Sequence, residues 1–267
     1  MPQPLTPAPH AQIRLRDFDP RHQPPGLDRE AAEAETRAHS AAIGALAYKL
    51  YAENRRAVLL VLQGMDTSGK DGTIRSVLSD VNPLSCAITA FKAPTSEELS
   101  HDFLWRIHRA EPRRGQLGVF NRSHYEDVLI VRVRNLVPEE EWRTRYDRIN
   151  DFERLWTAGH VTLVKCFLHI SKEEQKERLQ ARLDDPTKRW KFNPGDLAER
   201  ELWGDYQKAA EVMLTRCNTA SAPWHIVPAD RKWVRNLVVS RLLRAALEKL
   251  DPQFPPAPEG LENVVVE

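Results

Sequence analysis

Two spaced glycines followed by a lysine are the first feature of this sequence that could bind a charged group. Gly64 and Gly69 precede Lys70, and residues 57–62 before them form an aliphatic run. Glycines at this spacing let backbone N–H groups converge on a phosphate, while the lysine neutralises its oxygens. A glycine-rich turn with a solvated Lys70 is the alternative. The pattern favours a phosphate loop whose binding residues are Gly64, Met65, Thr67, Ser68, Gly69, Lys70, Asp71 and Gly72.

Two carboxylates in this loop indicate a bound cation. Asp66 lies inside the loop, and Asp71 occupies the position where Ser or Thr usually contacts Mg²⁺. An anion beside a phosphate is repulsive unless a cation lies between them. We therefore predict that Asp66 replaces the missing hydroxyl as the Mg²⁺ ligand, and that Mn²⁺ could replace Mg²⁺.

Basic side chains recur in a second segment, residues 184–194. This stretch is polar and bounded by prolines, as is typical of a mobile lid. Arg178 and Arg182 precede it at helical spacing, so they should share one face and could close with the lid. The alternative for both arginines is a solvated helix face. The lid cations predicted to bind phosphate, together with Arg182, are Lys188, Arg189 and Lys191.

The elements that must position these residues alternate between strands and helices. Predicted strands cover residues 57–62, 85–91, 117–120, 161–169 and 224–228, and the helices are 27–54, 70–80, 96–109, 138–158, 172–183, 197–217 and 231–250. Ser96 is predicted to cap the third of these helices. Such alternation is typical of an α/β domain with a parallel sheet. We expect one domain over residues 28–250, an extended N-terminal arm over 1–27 and a tail over 251–267.

In a parallel sheet, polar residues just after the strands meet at one edge. Asn121, Arg122, Glu126 and Asp127 follow the third predicted strand and should therefore face the phosphate loop. Arg122 could reach the reacting centre and stabilise migrating negative charge. Asn121 stands where an aspartate usually holds the metal, and Glu126 or Asp127 could replace it. Lys92, after the second strand, is equally well explained as a ligand contact or a surface charge.

Composition excludes some classes of protein. The chain has 267 residues, 41% of them hydrophobic, and a formal net charge of +1. This charge does not support general nucleic-acid binding. No apolar run approaches the length of a membrane span, and the N-terminus lacks a secretory signal, so we expect a cytoplasmic protein. Arginines are nevertheless concentrated in one region, which suits a polyanionic ligand; they are Arg106, Arg109, Arg113, Arg114, Arg122, Arg132 and Arg134.

Several segments resemble the polyphosphate kinase 2 family. They are QGMDTSGKDGTI (63–74), FKAPTSEELSHDFLWRIHR (91–109), FNRSHYEDVLIVRV (120–133), INDFERLW (149–156), HISKEEQKERLQARLDDPTKRWKF (169–192) and APWHIVPADRKWVRNLVVSRLL (222–243). Together they cover most of residues 55–245 in the family's order. The resemblance implies a P-loop kinase fold with a five-stranded parallel sheet and a helical lid over about 172–195. It also implies Mg²⁺-dependent, reversible phosphoryl transfer between inorganic polyphosphate and nucleotides.

The resemblance also implies roles for residues. It makes Asp66, Lys70, Arg122 and Arg178 catalytic, with polyphosphate held by the phosphate loop and the lid. The nucleotide would then lie over Lys92, Arg106 and the 121–127 segment. FNRSHYEDVL is similar to the subgroup that acts on nucleoside mono- and diphosphates, so we expect AMP and ADP as acceptors and ATP as a product. Family members form homo-oligomers, to which Trp142, Trp156 and the early helix could contribute, although core packing explains these tryptophans equally well.

Two other functions fit the same residues. An ATP-dependent kinase of a nucleotide or metabolite would share the loop but would need an adenine pocket on the donor side. A non-catalytic module would use the same cations to bind polyphosphate but would form no product.

Overall fold

The computed structural model describes residues 6–261 and 264–266, which contain a five-stranded sheet in the order β2-β3-β1-β4-β5. All neighbouring strands are parallel. The predicted parallel α/β sheet is therefore confirmed. The strands are β1 (Ala57–Gln63), β2 (Cys86–Ala90), β3 (Leu117–Asn121), β4 (Val161–His169) and β5 (Trp224–Pro228).

Helices cover both faces of this sheet. Side chains of β1 alternate between two hydrophobic clusters, with Leu60 in the cluster beneath the first and last helices and Leu59 in the other. A strand covered on both sides reads as continuously apolar, which is why β1 is buried throughout. The helices are α1 (Arg29–Glu53), α2 (Lys70–Val77), α3 (Ser96–Leu99), α4 (Trp105–Arg109), α5 (Ile130–Val133), α6 (Glu139–Gly159), α7 (Lys172–Asp184), α8 (Gly195–Glu201), α9 (Trp203–Arg216) and α10 (Lys232–Leu250).

The predicted helix over residues 96–109 begins at Ser96 as expected, but the prediction was wrong about its N-cap and its continuity. Thr95, not Ser96, is the N-cap, because Thr95 and Glu98 form a complete capping box. With Ser96 as the N-cap, Leu99 would occupy the position three residues later, where the capping box requires Glu or Gln. The helix ends after one turn, and the Asp102 carboxylate accepts from the Leu104 N–H at 2.9 Å to begin the next. The predicted helix over 197–217 is likewise divided at Leu202 into α8 and α9.

The N-terminal segment lies on the body of the domain over residues 6–28. Ile13 and Leu15 are buried in the hydrophobic core, and the Leu15 N–H donates to Glu211 at 2.7 Å. This part of the predicted arm therefore packs against the domain, whereas residues 1–5 lie outside the described residues. In the described part of the chain, no helix is long and apolar enough to cross a membrane.

Candidate active site

The phosphate loop, residues 64–70, joins β1 to α2 and folds around the Lys70 side chain. Lys70 is buried, and its Nζ donates to the carbonyl oxygens of Gly64 at 2.8 Å and Met65 at 3.2 Å. Gly69 has a φ of 101° at the N-cap of α2. Thr67 has a φ of 63°, a conformation that is rare for a β-branched residue. The predicted loop is thus a tight turn with its lysine folded inward.

Two buried arginines bind this loop from outside. Arg178 of α7 donates to the carbonyl oxygens of Thr67 at 2.9 Å and Ser68 at 3.1 Å. Arg235 of α10 also donates to the Ser68 oxygen, at 3.1 Å. These bonds engage carbonyl oxygens that would otherwise repel a bound anion. Sequence reasoning missed Arg235, since it is a lone basic residue in an apolar helix and its partner lies far away in the sequence.

Arg178 and Arg182 lie in different surroundings despite their spacing. Arg178 is buried, pairs with Glu174 at 2.7 Å, and donates to the carbonyl oxygens of Ala229 and Asp230. In this conformation it is fixed beneath the loop and does not accompany the exposed segment. Arg182 lies one turn further on and reaches Asp196 of α8 at 3.5 Å. The catalytic role assigned to Arg178 stays a prediction.

Arg122 connects the phosphate loop to the segment after β3. Its guanidinium donates to the Asp66 carboxylate and reaches Glu126 at 3.3 Å. Its φ of 64° is left-handed, and its N–H donates to the Leu62 oxygen at the end of β1. Burial alone would raise the pKa of Asp66, but Arg122 and Lys70 lower it below its usual value. Asp66 is therefore a carboxylate at neutral pH, as a metal ligand must be.

The charge on Lys70 is finely balanced. Burial and the neighbouring Arg122 lower the pKa of Lys70 to about 8. The carboxylates of Asp66, Glu126 and Asp71 act in the opposite direction and raise it. A buried ammonium ion is stabilised by nearby anions. A phosphate bound in the loop would therefore favour the charged form of Lys70.

The two positions that depart from the usual phosphate-loop pattern contact each other. Asn121, at the end of β3, donates from its Nδ2 to the Asp71 carboxylate at 2.7 Å. Lys191 Nζ approaches the same carboxylate at 3.9 Å. An aspartate at position 121 would place two carboxylates side by side here. The pair explains how an amide is accommodated at position 121, although its expected nucleotide contact stays a prediction.

A cavity of about 780 Å³ opens beside Asp66 and Arg122. Sites of roughly 300–1,000 Å³ hold small organic ligands. Of the predicted nucleotide-binding residues, the cavity is lined by Lys92, Arg106, Glu126 and Asp127, but not by Asn121. Its other walls are largely apolar, and the apolar lining residues include Phe91, Phe103, Leu129, Ile130, Leu136 and Val137.

Asp127 is held by cations at the wall of this cavity. It accepts from Arg145 at 2.7 Å and lies 4.0 Å from Arg106. Burial nevertheless raises the pKa of Asp127 to about 6. Arg145 also lies 4.8 Å from the centre of the Phe103 ring. The cavity thus combines a flat aromatic surface with a carboxylate that can accept hydrogen bonds.

Part of the predicted lid approaches the first turn of α2, directly after the phosphate loop. Residues 189–191 form a 3-10 helix, and Lys191 approaches Asp71 as described above. Lys188 pairs within the segment with Asp185, and Arg189 donates to the Leu183 oxygen at 2.7 Å. The predicted lid range of 172–195 therefore contains two parts: a half of α7 fixed to the loop and an exposed basic segment beyond it.

A buried ion pair supports the segment that carries Arg122. Lys165 of β4 donates to Glu153 of α6 at 2.7 Å and to the Tyr125 hydroxyl at 2.8 Å. Tyr125 also donates to Glu153, at 2.6 Å. His124 is fully buried beside Glu153, with its Nε2 3.2 Å from a Glu153 carboxylate oxygen. Sequence reasoning missed Lys165 because one lysine in a strand gives no sign of an acidic partner on another helix.

Known proteins resemble this chain over nearly its whole length. The family model for polyphosphate kinase 2 matches residues 26–255. The chain belongs to the polyphosphate kinase 2 family. This confirms the resemblance found in the sequence and makes the chain a phosphotransferase that uses polyphosphate.

Two relatives and one solved structure show how close the similarity is. An AMP/ADP-polyphosphate phosphotransferase from Meiothermus ruber is 46% identical, with 97% of each chain covered. An ADP-polyphosphate phosphotransferase from Rhodopseudomonas palustris is 47% identical over 77% of this chain and 75% of that protein. The crystal structure of polyphosphate kinase 2 from Arthrobacter aurescens TC1 is 44% identical, with a TM-score of 0.93 over 97% of this chain and 93% of that one. The polyphosphate kinase fold is therefore confirmed.

Phosphoryl transfer by such kinases generally needs a divalent metal. No group of three or more acidic, histidine or cysteine side chains in the described residues forms a ready-made metal site. Mg²⁺ is commonly held by one or two carboxylates together with substrate phosphates and water. The partly exposed, ionised Asp66 beside the phosphate loop fits that kind of site.

Proposed function

We propose that this polyphosphate kinase transfers the terminal phosphoryl group of inorganic polyphosphate to AMP and to ADP, reversibly and with Mg²⁺. The observation that carries the proposal is the position of Arg122, which joins the phosphate loop through Asp66 and also lines the nucleotide-sized cavity. A donor on the loop and an acceptor in the cavity would both meet at this guanidinium. The printed name of the Meiothermus ruber relative supports both acceptors.

The chain's own residues act chiefly by positioning and by charge. Phosphoryl transfer requires aligned oxygens and cations around the migrating group rather than covalent work by the protein. Lys70 and the loop backbone would hold the donor phosphates, and Arg122 would stabilise charge on the group in transfer. Asp66 would hold Mg²⁺, or Mn²⁺ in its place, and the metal ion would supply positive charge next to the donor phosphates.

The cavity would bind the acceptor nucleotide. Its apolar walls suit a base, and Lys92 and Arg106 can meet the acceptor's phosphates. Lys188, Arg189 and Lys191 would bind further phosphates of the donor from the lid. A polyphosphate needs such a line of cations because it carries about one charge per phosphate, and guanidinium contacts contribute roughly 1.5–3 kcal/mol each.

A reaction without ATP tests the proposal. The protein is incubated with Mg²⁺, polyphosphate and either AMP or ADP, and the nucleotides are separated by chromatography. We expect ADP and then ATP from AMP, and ATP from ADP. An ATP-dependent kinase would form neither product from polyphosphate, and product from ADP alone would restrict the acceptor to diphosphates.

A variant separates catalysis from mere binding. Lys70→Ala should abolish turnover while circular dichroism and the melting temperature show a folded protein. A wild-type protein that binds polyphosphate but forms no nucleotide product would instead support the non-catalytic module.

A further inference from the structure

Arg235 of α10 is a buried cation without a carboxylate partner among the described residues. It is 2% exposed and makes no ion pair in the part of the chain that the structure describes. Its Nε and Nη2 donate to the Asn236 side-chain oxygen at 3.1 and 2.9 Å, and its Nη1 donates to the Ser68 carbonyl. All of these acceptors are neutral.

The guanidinium of Arg235 packs closely against the backbone of the phosphate loop. A Cβ added to Gly69 would overlap it, so the glycine at this position allows Arg235 to approach. Gly72, in the first turn of α2, is also near the guanidinium, with Arg235 Nη2 3.3 Å from an added Cβ. Arg235 therefore lies behind the loop and does not face the cavity, whose lining does not include it.

Such an arrangement costs free energy in the ligand-free protein. A buried charge is expensive unless an opposite charge compensates it. Burial and the nearby Arg178 lower the pKa of Arg235 to about 9, and the guanidinium still remains protonated at neutral pH. By contrast, Arg178 has Glu174 as its partner. The missing compensation can be supplied by an anion on the other side of the loop.

We propose that Arg235 is a positioning residue for the polyphosphate donor, whose buried positive charge attracts the donor anion through the Ser68–Gly69 backbone while holding that backbone in place. The inference rests on the proposed function, because it requires donor phosphates on the loop. It assigns to Arg235 an effect on donor affinity without direct contact. The acceptor nucleotide should be unaffected, since Arg235 does not line the cavity.

Two substitutions of Arg235 separate charge from packing. Arg235→Lys retains the charge, whereas Arg235→Gln keeps a polar side chain of similar length without it. Arg244→Met is the control, because Arg244 lies on the same helix, is partly exposed and pairs with Glu248 outside the site. Inorganic tripolyphosphate is the probe, its affinity is measured by titration calorimetry, and KM values for polyphosphate and ADP come from steady-state kinetics.

We expect Arg235→Gln to bind tripolyphosphate roughly tenfold to a hundredfold more weakly than wild type, the size expected when one buried unit charge near a bound anion is removed. Its KM for polyphosphate should rise in parallel while its KM for ADP stays unchanged. Arg235→Lys and Arg244→Met should remain within about threefold of wild type. The melting temperature of ligand-free Arg235→Gln should be no lower than that of wild type, because an uncompensated buried charge has been removed.

Other results would overturn the inference. Wild-type affinity in Arg235→Gln, or an equal loss in the Gln and Lys variants, would show that the charge does not act on the donor. A lower melting temperature with unchanged donor affinity would show a structural role only. Should Arg235→Gln not fold, Arg235→Met provides the uncharged variant under the same criteria. Failure of the wild type to bind tripolyphosphate would contradict the donor site itself.

Discussion

Lys70 shows how burial makes a phosphate-binding residue sensitive to pH. Burial lowers its pKa to about 8, so the ligand-free protein loses the Lys70 charge as the pH rises through that value. Bound phosphates favour the charged form and raise the pKa again. Donor capture should therefore be more sensitive to alkaline pH than turnover of the bound complex.

We predict that kcat/KM for polyphosphate falls above about pH 8, whereas kcat remains level to higher pH. The profile of kcat/KM reports ionisation of the free enzyme, and that of kcat reports the complex. Both are obtained from initial rates across neutral to alkaline buffers at constant ionic strength. A level kcat/KM well beyond pH 9 would contradict the role given to Lys70.

Asp66 is the second residue whose charge can be tested alone. Asp66→Asn keeps the size of the side chain and should keep the fold, but it removes the proposed metal ligand and the anion opposite Arg122. We expect Mg²⁺-dependent turnover to fall by roughly a hundredfold or more, in the range seen when a charge-stabilising group is removed. Asp205→Asn, on an exposed part of α9, is the matched control. Normal turnover at ordinary Mg²⁺ concentrations in Asp66→Asn would exclude Asp66 as the ligand.

Residues with local patterns could be predicted from the sequence, and residues with distant partners could not. Asp66, Lys70 and Arg122 belong to short segments whose spacing indicates their place at the sheet edge. Arg235 contacts Ser68, and Lys165 contacts Glu153. The partners in each pair lie on different elements, so only the folded structure brings them together. One sequence contains no signal for such pairings.

At the scale of elements, the strands were easier to predict than the short helices. The central strands β1, β3 and β4 are runs of largely buried, mostly apolar residues, which is a strong pattern, whereas the edge strand β2 is partly exposed. The segment over residues 96–109 begins with Glu97, Glu98 and Leu99, which favour a helix, yet the side chain of Asp102 accepts from the Leu104 N–H where α3 has ended and α4 is about to begin. Competition by such bonds is not visible in periodicity.

The buried pair of Lys165 and Glu153 joins β4, α6 and the 3-10 helix at residues 124–128. Lys165→Met should lower the free energy of unfolding by about 3–5 kcal/mol, because it leaves Glu153 as an unpaired buried carboxylate. The double variant Lys165→Met/Glu153→Met should recover a large part of that loss. Urea unfolding of the wild type, both single variants and the double variant measures the coupling. Additive losses would show that the two side chains do not act as a pair.

At the scale of the whole molecule, a formal net charge of +1 hides strong local concentrations of arginine and lysine. Trp156 and Trp142 are buried within the chain, which supports the core-packing explanation for both. Assembly into a homo-oligomer and a cytoplasmic location stay predictions. Size-exclusion chromatography with light scattering would test the first of these.

Salt should weaken the binding of the polyphosphate donor. The lid cations are partly exposed, and their attraction for a polyanion is screened over about 10 Å at 0.1 M salt. We predict that KM for polyphosphate rises between roughly 0.05 and 0.3 M salt, and that it rises more steeply than KM for AMP, which carries fewer charges. Steady-state rates in a salt series measure both constants. Equal or absent salt dependence would show that the donor is not held by a line of exposed cations.

The hydrogen bonds between α7 and the phosphate loop fix the first half of that helix and leave its last turn outside the attachment. Gln175 and Arg178 fix its first half to the carbonyl oxygens of residues 66–68, whereas its last turn leads into the exposed segment 185–194. A swing of that segment would then pivot beyond Arg178, so it would release the donor phosphates held by the lid cations but not those held by the phosphate loop. Nucleotides could then enter and leave between catalytic cycles while the donor remains bound at the phosphate loop alone.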